Sequence, residues 1–142
     1  MASKREQIIA ALKTTLAGTT GVSTRIYRSR IEPITNGESP AIVIEPVTDE
    51  PSINSSNYLK IDWTLRLRIV VIVRGTIPDK VSDPTVESLF AKVLTDTTVG
   101  GLARDIRPAT QSFEVLDADE PAGLITCEFE IDYQTSYNSM ST

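Results

Sequence analysis

The chain has 142 residues, of which 40% are hydrophobic and 23% charged, with a formal net charge of −5; this suits one globular domain with room for a real core. Histidine is absent and Cys127 is the only cysteine, which removes the commonest general base and zinc ligand, every Ser-His or Cys-His nucleophile pair, and any internal disulfide. Residues 108–142 hold seven acids and no base, leaving 12 acids against all 14 bases before them, so a broad basic surface for nucleic acid is not expected.

In chain order, Ser3-Lys4-Arg5-Glu6 has the form of a capping box. Ile8, Ile9, Leu12 and Leu16 then recur at helical spacing, and Gly18 and Gly21 punctuate the end. The segment predicts an amphipathic helix packed on a sheet, and it lacks the small-residue cleavage pattern of a signal peptide. No apolar run reaches the roughly 18 residues of a membrane span, so no membrane association is predicted.

A short strand is predicted around residues 24–28, where Arg25, Arg28 and Arg30 cluster about Tyr27 as a solvated or subunit-contacting edge. A turn-rich connection leads to a second strand over 41–45, ended by Pro46. Residues 47–59, rich in Ser, Asn and Pro, predict an exposed loop. Asp49, Glu50, Asn54 and Tyr58 in that loop are candidate partner contacts, together with Arg28 and Arg30 before it.

The best-patterned stretch is Lys60–Arg74. Ile61, Trp63, Leu65, Leu67, Ile69, Val71 and Val73 alternate onto one face of a predicted strand, which at this length spans about 45–50 Å. The other face carries Asp62, Thr64, Arg66 and Arg68, then turns apolar at Val70 and Ile72, which are candidates for burial against the helices or a neighbour. A second helix is predicted with Asp83 as N-cap and Pro84 at its first position. Its core stripe is Val86, Leu89, Phe90, Val93 and Leu94.

Two short strands are predicted next, over 102–107 and 113–116, with Phe113 and Val115 pointing inward. An acidic turn over 117–123 leads to a long last strand over 125–135. There Ile125, Cys127, Phe129, Ile131 and Tyr133 share one face, and Glu128, Glu130 and Asp132 the other. Cys127 reads as a small buried hydrophobe. Paired antiparallel with Lys60–Arg74, this strand sets its carboxylates against Arg66 and Arg68, each pair contributing roughly 0.2–1 kcal/mol. Residues 1–2 and 138–142 are expected to be flexible ends.

The fold expected is therefore α+β: a single domain over 1–142, with a mixed, mainly antiparallel sheet and two helices packed on it. No catalytic, cofactor or metal site is predicted. Gly100-Gly101 lacks the Lys-Ser/Thr of a phosphate loop, and the acids at 117–120 lack the glycine and distal Glu of a calcium loop.

The element order resembles the small tail terminator (minor tail) proteins of long-tailed bacteriophages, over about residues 5–137. The stretches that carry the likeness are Tyr27-Arg28-Ser29-Arg30-Ile31-Glu32, Ser39-Pro40-Ala41-Ile42-Val43-Ile44-Glu45-Pro46, the Asp83-Pro84 helix with Leu94-Thr95-Asp96, and Val99-Gly100-Gly101-Leu102-Ala103-Arg104-Asp105-Ile106. The resemblance implies a virion protein, assembled in the host cytoplasm, that forms a homo-oligomeric ring, typically hexameric. The ring would cap the head-proximal end of the tail tube, stop tube polymerisation and join tail to head. Its partners would be other copies of itself, the tail tube protein and a head-side neck protein, with DNA only passing through the channel. Arg66, Arg68, Glu128, Glu130 and Asp132 are then candidates for cross-strand charges or channel lining. The alternatives are a head-closure or neck connector, another tail protein and, more remotely, a small carboxylate-based hydrolase.

Overall fold

The structure is a computed structural model that describes residues 2–22, 25–28, 40–52, 60–75, 77–116, 122–137 and 139–141. Its elements are α1 (Lys4–Leu16), β1 (Ile26–Arg28), β2 (Ala41–Pro51), β3 (Lys60–Arg74), α2 (Pro78–Thr95), β4 (Asp105–Leu116) and β5 (Ala122–Ser136). The strands form one sheet in the order β1-β2-β3-β5-β4, parallel between β1 and β2 and antiparallel elsewhere. This is the α+β architecture that the patterning predicts, and β3 has the predicted bounds.

Both helices cover the same face of the sheet. Ile8, Ile9, Leu12 and Leu16 of α1 and Leu89 and Val93 of α2 meet Leu65, Leu67, Ile69, Val71, Phe129 and Ile131 in one core. Each such side chain, fully buried, contributes about 1.5–3 kcal/mol of transfer free energy. Phe90 of α2 reaches Phe129 with ring centroids 5.2 Å apart. Cys127 is buried in this core, where loss of solvation pushes its thiol up to about 11.

At the start of α1, Ser3 Oγ accepts from the Glu6 N–H at 3.2 Å. Glu6 does not complete the expected capping box, because its carboxylate is held by both terminal nitrogens of Arg28 on β1. At the C-terminal end, expected to be flexible, the Met140 carbonyl accepts from the Lys4 N–H at 2.6 Å.

Three element boundaries differ from expectation. The second helix begins at Pro78, so Asp83 is not its cap and Pro84 lies inside it. Pro78 already supplies the preset φ of a first turn. Beyond it, Ser82 and Thr85 are buried, their hydroxyls donating to the carbonyls of Asp79 and Thr20. Pro84 is exposed, as is Lys80 four residues earlier, so the carbonyl that Pro84 leaves without a helical donor belongs to a solvent-facing residue. Within the predicted stripe of this helix, Leu94 is exposed rather than in the core.

The second strand does not stop at Pro46. It continues to Pro51, with an irregularity between Pro46 and Thr48, so 47–51 are strand rather than loop. The two short strands expected after α2 are one strand, β4, which absorbs Pro108 at a second irregularity between Pro108 and Thr110. A bulge accommodates a proline in a ladder because it releases a backbone donor from pairing.

Gly123 sets how α2 meets the sheet. A Cβ there would run into the Pro78 ring, so only glycine lets the first turn of α2 lie directly on β5.

Candidate functional site

The face of the sheet turned away from the helices carries a ladder of charge. β3 and β5 pair with Arg66 opposite Glu130 and Arg68 opposite Glu128, the expected juxtaposition. The shortest contacts are diagonal, because a long guanidinium reaches past the residue directly across. Arg66 holds Glu128 at 2.7 Å and Glu130 at 3.4 Å, whereas Arg68 stands 3.7 Å from Glu45 and 3.8 Å from Glu128. The Arg66 hydrogen bond is the main cause that lowers the Glu128 carboxyl below its ordinary range, aided by Thr110 Oγ1.

Arg107 of β4, not singled out in the sequence, completes the ladder. It binds Asp132 at 2.6 Å and Glu130 at 2.8 Å. Its signal was its place as the last basic side chain before the acid-only stretch, a position that becomes informative once β4 is known to flank β5. Three arginines thus face Glu45, Glu128, Glu130 and Asp132, and the ladder is close to neutral. Beside it lies an open concavity of about 370 Å³ lined by Glu50, Thr64, Arg66, Arg107 and Glu130 among others. Glu50 is exposed there, opposite Thr64.

Asp49, expected in an exposed loop, is on the helix side of the sheet with its side chain only 8% exposed. The irregularity at Pro46/Thr48 shifts the alternation, so that Thr48 pairs with Arg66 and Asp49 with Leu65. One extra residue re-aims all those that follow. Asp49 Oδ2 accepts from the Tyr133 hydroxyl and from Arg5 at 3.3 Å. Burial, then the bond to Asp49, raises the Tyr133 pKa. Tyr133 also stacks on Trp63, with centroids 6.3 Å apart.

Arg28 is engaged by Glu6 rather than free for a partner. Val70 is buried on the outer face, paired with Val43 and Thr126, and Ile72, the next residue on that face, is half-buried. Arg30, Asn54 and Tyr58 lie outside the described residues. Phe113 and Val115, expected to point into the core, do project to the helix face but are 65% and 66% exposed. β4 is the outermost strand, and their neighbours toward the interior are Ile125 and Gly123.

Among the described residues no group of three or more His, Cys, Asp or Glu is arranged to hold a metal ion, and no helix is long and apolar enough to cross a membrane. The arrangement offers paired charges on one face and two unlike sheet edges, β1 and β4. No protein-family model matches the chain, and no curated protein matches it.

Proposed function

We propose that this chain is a structural virion protein of the tail-terminator kind: a ring, six-fold in the proteins it resembles, that caps the head-proximal end of a phage tail tube. The observation that carries the reading is the open sheet. Its helices cover one face, and its two edges differ, a three-residue strand beside α1 on one side and a twelve-residue strand with bare apolar side chains on the other. Unlike edges suit head-to-tail contacts, which close into rings when the rotation permits. The charged face supports passage of DNA without adhesion, because its guanidiniums are already engaged by carboxylates and the excess is acidic.

The test is to mix the purified protein with tail tubes and image them by negative stain. The reading expects a ring at one end of each tube and no further growth when tube protein is added. Tubes that stay uncapped and keep elongating would refute it. Self-polymerisation into long filaments, seen by light scattering without tubes, would indicate a tube protein instead. Charge reversal at Glu128 and Glu130 that left tail assembly and DNA ejection untouched would remove the role assigned to the charged face.

A further inference from the structure

Phe113 stands at one end of a single row that crosses the whole sheet. The register pairs Ile26 with Ile42, Ile42 with Val71, Val71 with Ile125 and Ile125 with Phe113. Residues directly opposite one another share a face, so all five project toward the helices. Ile26, Ile42, Val71 and Ile125 are buried, and Phe113 is not. At the other end of the row, Ile26 forms the floor of an open, mainly apolar groove of about 610 Å³ between α1 and β1, with Ala10, Thr14 and Ala17 on the helix side. An apolar knob and an apolar groove therefore lie at the same level, on the same face, at opposite edges.

Charge and strand polarity agree with that match. The groove is rimmed by Lys13 and Arg28, with Glu6 offsetting part of the positive charge. Beyond Arg107 the strand that carries the knob has Glu114 and no basic residue. Through the successive pairings β4 runs antiparallel to β1, so a β4 arriving head to tail lies antiparallel to β1.

We propose that a second copy of this chain docks head to tail, with Phe113 and Val115 of one copy seated in the α1–β1 groove of the next. The contact is heterologous: the surface given by one copy differs from the surface it receives. The inference deepens the ring reading and rests on it for closure of the assembly. Phe113 is the anchor, and Phe113→Ala is expected to raise the dissociation constant between copies about 30-fold.

Disulfide trapping tests the contact. Phe113→Cys and Thr14→Cys are made in separate full-length chains, both at exposed positions; the native Cys127 is buried and its thiol is pushed up to about 11, so it does not compete. Mixed under mild oxidation, the two are expected to give a dimer joining one of each, and neither should cross-link alone. Val115→Cys with Ala17→Cys, also exposed and on the groove wall, provides a second pair if either variant fails to fold. Linkage of Phe113→Cys only to itself would show a two-fold β4–β4 contact and overturn the proposal, as would a mixture that yields no cross-link. Closed rings in light scattering without the mixed cross-link would sink this edge contact and leave the ring reading standing. The mixed cross-link together with uncapped tubes would do the reverse.

Discussion

β3 and β5 show two different surfaces to their two sides, built from alternate residues of the same strands. Toward the helices, Leu65, Leu67, Ile69, Cys127, Phe129 and Ile131 are fully enclosed; toward the other side, Arg66, Arg68, Glu128, Glu130 and Asp132 stay partly in water. The charged side looks like the device that fixes register, yet it discriminates poorly. Sliding β5 by two residues in one direction sets Arg66 opposite Asp132 and Arg68 opposite Glu130, still opposite charges. The apolar side does not tolerate that slip, because Gly123 must lie beneath Pro78 and Tyr133 must reach Asp49. Register is held from inside.

If so, changes on the helix side should cost most. Phe129→Ala leaves a cavity beneath Phe90 and is expected to cost about 3–5 kcal/mol in urea unfolding. Gly123→Ala forces the Pro78 ring off the sheet and is expected to cost about 1–3 kcal/mol, as overpacking does. Tyr133→Phe keeps the stack on Trp63 but takes a donor from Asp49, whose Oδ1 already has no hydrogen-bond partner. It is expected to cost about 1–3 kcal/mol. Losses below about 0.5 kcal/mol at Gly123 and Tyr133 would mean that the apolar side does not set the register.

The same contrast explains what could be read from the sequence. β3 and β5 announced themselves because alternation ran unbroken over many residues, so strand, facing and charge pairing all followed from period two. Reading failed where a bulge changed the phase. Beyond Pro46 the shift took Asp49 from an exposed loop to the helix side, and Pro108 looked like an end because a proline lacks the ladder donor. Phe113 and Val115 point to the expected face, but sequence periodicity does not tell how far the helices extend over an edge strand. For α2 the Asp83-Pro84 pair marked the wrong start: the helix already begins at Pro78, and Ser82 and Thr85 are buried within it. Of the proposed docking surface, only the apolar residues were legible; the row joining Phe113 to Ile26 needs the register of all five strands.

The charged side gives smaller effects, and pH separates its members. The folded pKa of Glu128 lies below its ordinary 4.5, first because of the Arg66 hydrogen bond. Between those two values the unfolded chain binds more protons, so the contribution is present above about pH 4.5 and is lost as pH falls through the folded value. Arg66→Gln removes the main cause. The urea midpoint of that variant should therefore fall less steeply with acid than that of the wild type, while Glu6, lowered by Arg28, titrates alike in both. Identical acid limbs would show that Arg66 and Glu128 do not interact appreciably in solution.

Arg68 is the internal control for Arg66. It sits one alternation further along the same face, but its two contacts are 3.7 and 3.8 Å, against 2.7 Å for Arg66 and Glu128. Coulomb attraction between exposed groups changes little over one ångström, whereas a charge-assisted hydrogen bond is lost by then. If proximity of charge were what mattered, Arg68→Ala and Arg66→Ala would destabilise alike. If the directional bond matters, Arg68→Ala changes stability by no more than about 0.5 kcal/mol, within the range of exposed pairs, and its acid limb moves less than that of Arg66→Ala, because Arg68 is only a minor cause of the lowered Glu128. Equal losses for the two variants would restore the charged side to a larger part in holding β3 to β5 than its geometry indicates.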